Sequence, residues 1–253
     1  MLTLEVSLMK NGNAVLKTVR AALERDPRIN LHVWPLQLEL TDDHALVVQG
    51  EVQNIAAKKR ALEVAGAMPE VLGIVDRVQV APAEHKGDGE ILEVLIRLLL
   101  DSGEFKSCTL RAIKKGQDVV VQSAEGADYP GGTLRVWVDD GVITLDGSLI
   151  SLSHKRMAGV LAWWVPGCRD VRNLLEVEPP EQDNDGEISE ALALVLELDP
   201  MISRPHQIRV GIRDKVVTLQ GAVGTETEKD RAEQDAWSMF NVGTVVNQLT
   251  VSR

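Results

Sequence analysis

Aromatic side chains are scarce: five tryptophans, two phenylalanines and one tyrosine make up 3% of 253 residues. Aliphatic side chains must therefore fill whatever core the chain builds. The two cysteines, Cys108 and Cys168, could pair with each other, but they make neither a disulfide framework nor a zinc site. No run of about 18 apolar residues is present, so no membrane-spanning helix is expected. Met1 to Lys10 has no basic start and no long apolar centre, and it carries Glu5. It does not read as a secretory signal, and the chain as written is expected to be soluble and cytoplasmic.

Positive charge is also in short supply, with 27 basic against 38 acidic residues and a net charge of −11. The excess is uneven: residues 1–82 carry 9 basic and 10 acidic groups, 83–180 carry 11 and 15, and 181–253 carry 7 and 13. Nucleic-acid binding runs on phosphate neutralisation, so no nucleic-acid partner is expected. The same balance weakens attraction to anionic membranes. The five histidines lack metal-ligand spacing and have no Ser or Cys partner in sequence. No metal, cofactor or catalytic residue is expected, and the chain does not read as an enzyme.

What the chain does have is repetition. Leu46-Val47-Val48-Gln49-Gly50, Val142-Ile143-Thr144-Leu145-Asp146-Gly147 and Val216-Val217-Thr218-Leu219-Gln220-Gly221 are three short β-rich runs, each ending in glycine before a helical pattern. Thirty residues after each glycine stand Val80, Val177 and Val251, without a gap. Between them Ala61, Ala158 and Ala232 coincide, as do Ala65, Ala162 and Ala236. Upstream, Val15, Val19, Leu23 and Ile29 match Ile91, Leu95, Leu99 and Phe105, then Ile188, Leu192, Leu196 and Ile202. Only the step from this helix to the glycine varies: 21 residues from Ile29, 42 from Phe105 and 19 from Ile202. Three domains are expected, over residues 1–82, 87–179 and 184–253. At roughly 65 to 100 residues each, their cores are marginal alone.

In each repeat a helical stretch is followed by a hairpin, a second helix and a last strand. In the first, Leu36 to Leu40 and Ala45 to Val52 flank a turn, Asn54 opens the second helix, and Leu72 to Val80 reads as a strand. The last two strands are joined by a helix and should be parallel. The expected fold class is α/β (α+β): tandem αββαβ units, each a mixed three-stranded sheet with two helices on one face. Leu2, Leu4, Val6 and Leu8 alternate and predict an extra N-terminal strand, broken by Asn11-Gly12-Asn13. Residues 106–130 form an insertion in the second repeat, in which Thr109 to Ile113 and Val119 to Gln122 predict an extra hairpin. Pro179 to Asn184 is an acidic, exposed linker.

Several shared positions have an architectural reading. Asn54, Ser151 and Thr225, four residues past the glycines, suit helix N-caps, and Glu228 would complete a capping box with Thr225. The alanines lie on one helical face and let the helix approach the sheet. Lys58, Lys155 and Lys229 share a place in the first turn of the second helix, where a cation opposes the helix dipole. One reading is an anion site built from the lysine and free amides of the helix start. The other is structural: the lysine stem covers the core edge and its ammonium meets a nearby carboxylate. Glu181 to Ile188 resembles the start of an EF-hand loop, but the twelfth position is Leu192, not an acid. Gly221-Ala222-Val223-Gly224 spells a GXXG, yet Glu226 and Glu228 beside it would repel a phosphate backbone. Trp163-Trp164 closes the most apolar short run. One ring is expected to pack inside and the other to face out; an exposed ring would mark an interface with a partner or a bilayer surface, and the other reading is packing in the core or between repeats.

The run Asp140-Gly141-Val142-Ile143-Thr144-Leu145-Asp146-Gly147, followed by Val165-Pro166-Gly167-Cys168-Arg169-Asp170-Val171-Arg172-Asn173, resembles the BON domain, the module of a bacterial family of osmotically inducible periplasmic proteins. The third repeat carries the same features in Asp199-Pro200, Asp214 to Gly221 and Val245 to Leu249. The first is more divergent, with a hairpin one residue longer and Glu70 in place of the second glycine. The resemblance implies a module that contacts phospholipid surfaces in osmotic and envelope stress, a periplasmic setting if the start has been trimmed, and no catalytic residues. Two functions are therefore expected: a non-enzymatic protein on phospholipid or envelope surfaces, or a protein-interaction, chaperone-like or self-assembling module.

Overall fold

The computed structural model describes residues 2–125 and 130–252, with side chains from residue 12 onward. The chain divides into two compact units, Met1–Ala81 and Pro82–Arg253, the second holding the second and third repeats together.

In the first unit α1 (Leu2–Arg25) leads to the hairpin β1 (Leu36–Leu40) and β2 (Ala45–Val52), then α2 (Ile55–Gly66) and β3 (Gly73–Val80). β1 and β2 are antiparallel, with Leu38 opposite Val48. β2 and β3 are parallel, with Val48 opposite Asp76. The strand expected from Leu2 to Leu8 is instead the start of α1. Leu, Met, Glu and Lys are strong helix formers, and a lone Gly12 inside a helix costs only about 1 kcal/mol. The core is aliphatic: Val19, Leu23, Leu46 and Val48 are fully buried together with Ala61 and Ala65. The small alanine side chains let α2 lie on the sheet.

The second repeat comprises α3 (Asp88–Asp101), β4 (Cys108–Lys114), β5 (Gln117–Gln122), β6 (Gly132–Asp139), β7 (Val142–Leu149), α4 (Leu152–Trp163), β8 (Asp170–Asn173) and β9 (Glu176–Val177). The unit's own strands pair as in the first, Val136 opposite Leu145 antiparallel and Leu145 opposite Asn173 parallel. The expected hairpin of the insertion is β4–β5. It joins the sheet: β4 runs parallel to β6, giving the order β5-β4-β6-β7-β8 with β9 also on β7. Residues 126–129 of the insertion lie outside the described residues. Cys108 and Cys168 are both buried and are not joined in a disulfide, and burial pushes the Cys108 thiol up to about 11.

The third repeat comprises α5 (Asp185–Leu198), β10 (Ile208–Arg213), β11 (Val216–Val223), α6 (Glu226–Ser238) and β12 (Thr244–Val251). Val210 faces Leu219 antiparallel, and Leu219 faces Asn247 parallel. All three sheets thus share one register about their glycine. Gly147 and Gly221 have φ of +120° and +123°, and a Cβ there would come within 2.2 Å of the Thr133 oxygen and 2.0 Å of the Gln207 oxygen. Only glycine fits.

Two aspartates that open the first helices hold the hairpin turns. Asp88 accepts from the amides of Asp140 and Gly141, at 3.1 and 2.9 Å, and Asp185 accepts from those of Asp214 and Lys215, at 2.8 and 3.4 Å. The turn residues have positive φ, 50° and 74° in one hairpin and 50° and 64° in the other. That left-handed pair suits the tight hairpin, and the carboxylate satisfies its outward amides.

Candidate functional site

The N-caps stand where the sequence puts them. Asn54 accepts from Ala57 N at 2.9 Å, Ser151 from His154 N at 3.2 Å and Thr225 from Glu228 N at 3.1 Å. Glu228 turns one residue further back than a capping box requires, accepting from Gly224 N at 2.7 Å and from the Ser203 hydroxyl at 2.6 Å. Ala61, Ala158 and Ala232 are all fully buried.

The three lysines are held in three ways. Lys58 is buried, donates to the Val78 carbonyl at 2.7 Å and pairs with Asp76 at 3.0 Å. Asp76 shares its repeat position with Asn173 and Asn247, whose amides donate to the carbonyls of Lys155 and Lys229 at 2.9 and 3.0 Å. An aspartate cannot donate that bond, and in the first repeat the lysine ammonium supplies the positive partner instead. All three side chains also accept from the amide two residues on: Asp76 from Val78, Asn173 from Leu175 and Asn247 from Leu249. The Lys155 ammonium sits 4.7 Å from the centre of the Phe240 ring, and burial lowers its pKa. Lys229 is half-buried.

Trp163 and Trp164 do not divide into one inside and one outside; both are half-buried. They sit at the last residue and the C-cap of α4, where the third repeat packs against the helix. The Trp164 indole donates to Asp235 of α6 at 2.8 Å, and the Arg231 guanidinium lies 5.1 Å from the ring centre. Arg231 also pairs with Asp199 at the end of α5 and lies 3.7 Å from Asp235. Asp235 is 1% exposed, and its second oxygen accepts no hydrogen bond among the described residues. Burial pushes its carboxyl up to about 8; the Arg231 guanidinium pulls the other way and the neighbouring Asp199 carboxylate adds to the rise.

The repeat shows which part of this cluster is common property. Asp26 and Arg60 of the first repeat occupy the positions of Asp199 and Arg231, and they pair at 2.7 Å. Asp26 accepts from Arg28 N at 3.0 Å, as Asp199 accepts from Met201 N at 2.8 Å. The second repeat has Ser102 and Met157 there. Asp235, by contrast, stands where the other repeats have Val64 and Leu161. An acid at an otherwise apolar repeat position is the sequence signal that marks it, once the alanine alignment is carried three residues further.

Beside this cluster lies a groove of about 790 Å³ between the helices of the second and third repeats. Val94, Leu98, Leu161, Pro166, Leu198 and Met201 supply its apolar walls. Trp164, Arg231, Asp199, Asp101 and Asp230 supply its polar groups. Leu198 and Met201 are exposed, at 37% and 53%. The size suits a side-chain cluster or a small ligand. The linker that joins the two repeats is anchored nearby in sequence: Glu181 accepts from Leu152 N at 2.8 Å, while Asp183 pairs with the buried Arg156 and accepts from Asn241 at 2.6 Å. It is acidic and largely exposed, as expected, but it is not slack.

The family model for the BON domain matches residues 118–179 and 184–253. The chain belongs to the BON domain family. The two matched segments are the second repeat, from β5 of its insertion to β9, and the whole of the third. The insertion separates α3 from the rest of the BON repeat it completes. No curated protein matches the chain. Among solved structures, the C-terminal domain of CdsD, the structural protein of the type III secretion system of Chlamydia trachomatis, is 14% identical, with 93% of this chain and 96% of that one covered at a TM-score of 0.22. The PrgH periplasmic domain is 12% identical, with 86% and 95% covered at a TM-score of 0.23. Overlaps this loose bear on neither fold nor function. Among the described residues no helix is long and apolar enough to cross a membrane, and no group of acids, histidines and cysteines could hold a metal ion.

Proposed function

We propose that the chain is a non-enzymatic binding protein of three tandem BON domains whose recognition surface is the groove between the second and third repeats. The first repeat enters this reading as a divergent BON domain on its αββαβ order and its glycine-centred register. The observation that carries the proposal is the groove itself, because exposed apolar side chains at Leu198 and Met201 line it together with the half-buried Trp164. Contiguous exposed apolar surface of this kind marks interaction sites. A polypeptide partner is the favoured occupant. The test is site-specific photo-crosslinking in cells, with a photoreactive residue at Met201 and, as control, at Lys115 in the β4–β5 turn. A discrete polypeptide adduct from position 201 and none from 115 supports the reading; identical patterns would sink it.

The BON family's association with phospholipid and envelope surfaces in osmotic stress supports a second reading, a lipid-facing role. Against strong attraction stand the net charge of −11 and the internal use of Lys58. Each basic group near an anionic leaflet contributes only about 1 kcal/mol. Flotation with phosphatidylglycerol vesicles at low and high salt decides it: no lipid-bound fraction at low salt removes the lipid reading.

A further inference from the structure

Three helices end at this groove. The C-caps of α3, α4 and α5 are Ser102, Trp164 and Asp199, and all three residues line it. A helix C-terminus carries about half an elementary negative charge on its unpaired carbonyls, which a lysine or arginine in the last turn commonly offsets. None of these three helices has a basic residue in its last turn. The side chains lean the same way, with the exposed Asp101 and Asp230 lining the groove and Arg231 its one guanidinium. That guanidinium is already committed to Asp199. Apolar walls and an uncompensated negative rim therefore occur together.

We propose that the groove binds a polypeptide segment that sets apolar side chains beside lysines or arginines, the apolar residues entering between Leu198, Met201 and Trp164 and the cations meeting Asp101, Asp230 and the three helix ends. The inference rests on the groove being the recognition surface and adds what the partner must look like. An acidic segment meets like charge, and an anionic lipid headgroup meets the same field.

The test uses the full chain and two fluorescein-labelled model peptides, each an amphipathic helix with leucine on one face and either lysine or glutamate on the other. The lysine peptide is expected to bind, and the glutamate peptide about tenfold more weakly. Leu198→Gln and Met201→Gln, at exposed positions with no change of charge, should abolish binding. Asp101→Lys and Asp230→Lys should weaken the lysine peptide several-fold and flatten its salt dependence. Circular dichroism of each variant confirms the fold. Equal binding of both peptides, lost in the Gln variants, overturns the charge preference and leaves the groove as the recognition surface. Binding untouched by the Gln variants overturns both. Phosphatidylglycerol vesicles captured through Met201 in place of either peptide would also overturn the proposal.

Discussion

The indole of Trp164 donates to the carboxyl of Asp235 across 2.8 Å, joining the end of α4 in the second repeat to the last turn of α6 in the third. Two cations flank the same contact, Arg231 at 5.1 Å from the Trp164 ring centre and Lys155 at 4.7 Å from that of Phe240, and the second oxygen of Asp235 accepts no hydrogen bond among the described residues. Trp164→Phe keeps much of the ring and removes the donor, leaving a buried oxygen unmet. The expected cost is about 1–3 kcal/mol. In thermal unfolding it reads as a drop of several degrees in the transition that reports the second and third repeats. In the Asp235→Leu background, which restores the residue type of the sister repeats, the same change should cost much less. A cost that stays additive across the two sites would show that the bond is not what couples them.

Asp235 also sets a pH dependence. Its ordinary value of 3.8 is raised to about 8 in the fold, first by burial. A carboxyl raised on folding favours the folded state fully only below the unfolded value, and that contribution is lost as pH climbs through the folded one. Asp235→Asn should therefore change stability little near pH 4 and stabilise increasingly toward pH 9. Denaturant midpoints of the variant and the parent chain, compared at each pH, isolate this group from carboxylates such as Asp26 and Glu228, whose pKa values are lowered and whose contributions run the opposite way. Curves that stay parallel from pH 4 to 9 would mean that Asp235 is ionised throughout.

Much of this architecture was legible because its causes are local. The three glycines mark positions where neighbouring carbonyls leave no space for a Cβ, and the N-caps need only a side-chain oxygen four residues later. The two-residue alternation at Leu2 to Leu8 misled, because good helix formers there continue into α1. The site was less legible because its parts are distant in sequence. Trp164 and Asp235 are 71 residues apart, and they meet only because two repeats pack helix to helix. Asp88 and Asp185 open helices in the sequence, but their carboxylates serve hairpin turns some fifty and thirty residues away. Nothing in the local pattern shows that reach.

The pairing of Lys58 with Asp76 yields a third prediction. If the lysine at this position is structural in the first repeat, its removal strands a carboxylate and the Val78 carbonyl together. Lys58→Met is expected to cost about 1–3 kcal/mol, while Asp76→Asn, which recreates the asparagine of the sister repeats, should cost less than about 1 kcal/mol. The double variant should recover most of the loss, since the asparagine amide can then donate to the carbonyl of residue 58 as its counterparts do in α4 and α6. Urea midpoints decide the matter. A neutral Lys58→Met combined with lost vesicle binding would return the residue to the lipid-facing reading.

The glycine that anchors each repeat supplies the most direct test of a shared register. At Gly221 a methyl group would stand 2.0 Å from the Gln207 oxygen, with φ at +123°, so the strand itself must shift to admit alanine. The left-handed backbone alone costs about 1–3 kcal/mol for a residue with a Cβ, and the clash adds to it. At Gly50 the nearest backbone oxygen, that of Pro35, is 2.8 Å away, and the obstruction is milder. Gly221→Ala and Gly147→Ala should each unfold their repeats well below the parent midpoint, with Gly50→Ala the least damaging of the three. Hydrogen exchange localises the damage: lost protection should begin at the strand pairs flanking the substituted glycine. An alanine at 221 that leaves β10 and β11 fully protected would mean that the three sheets do not share the constraint that defines the repeat.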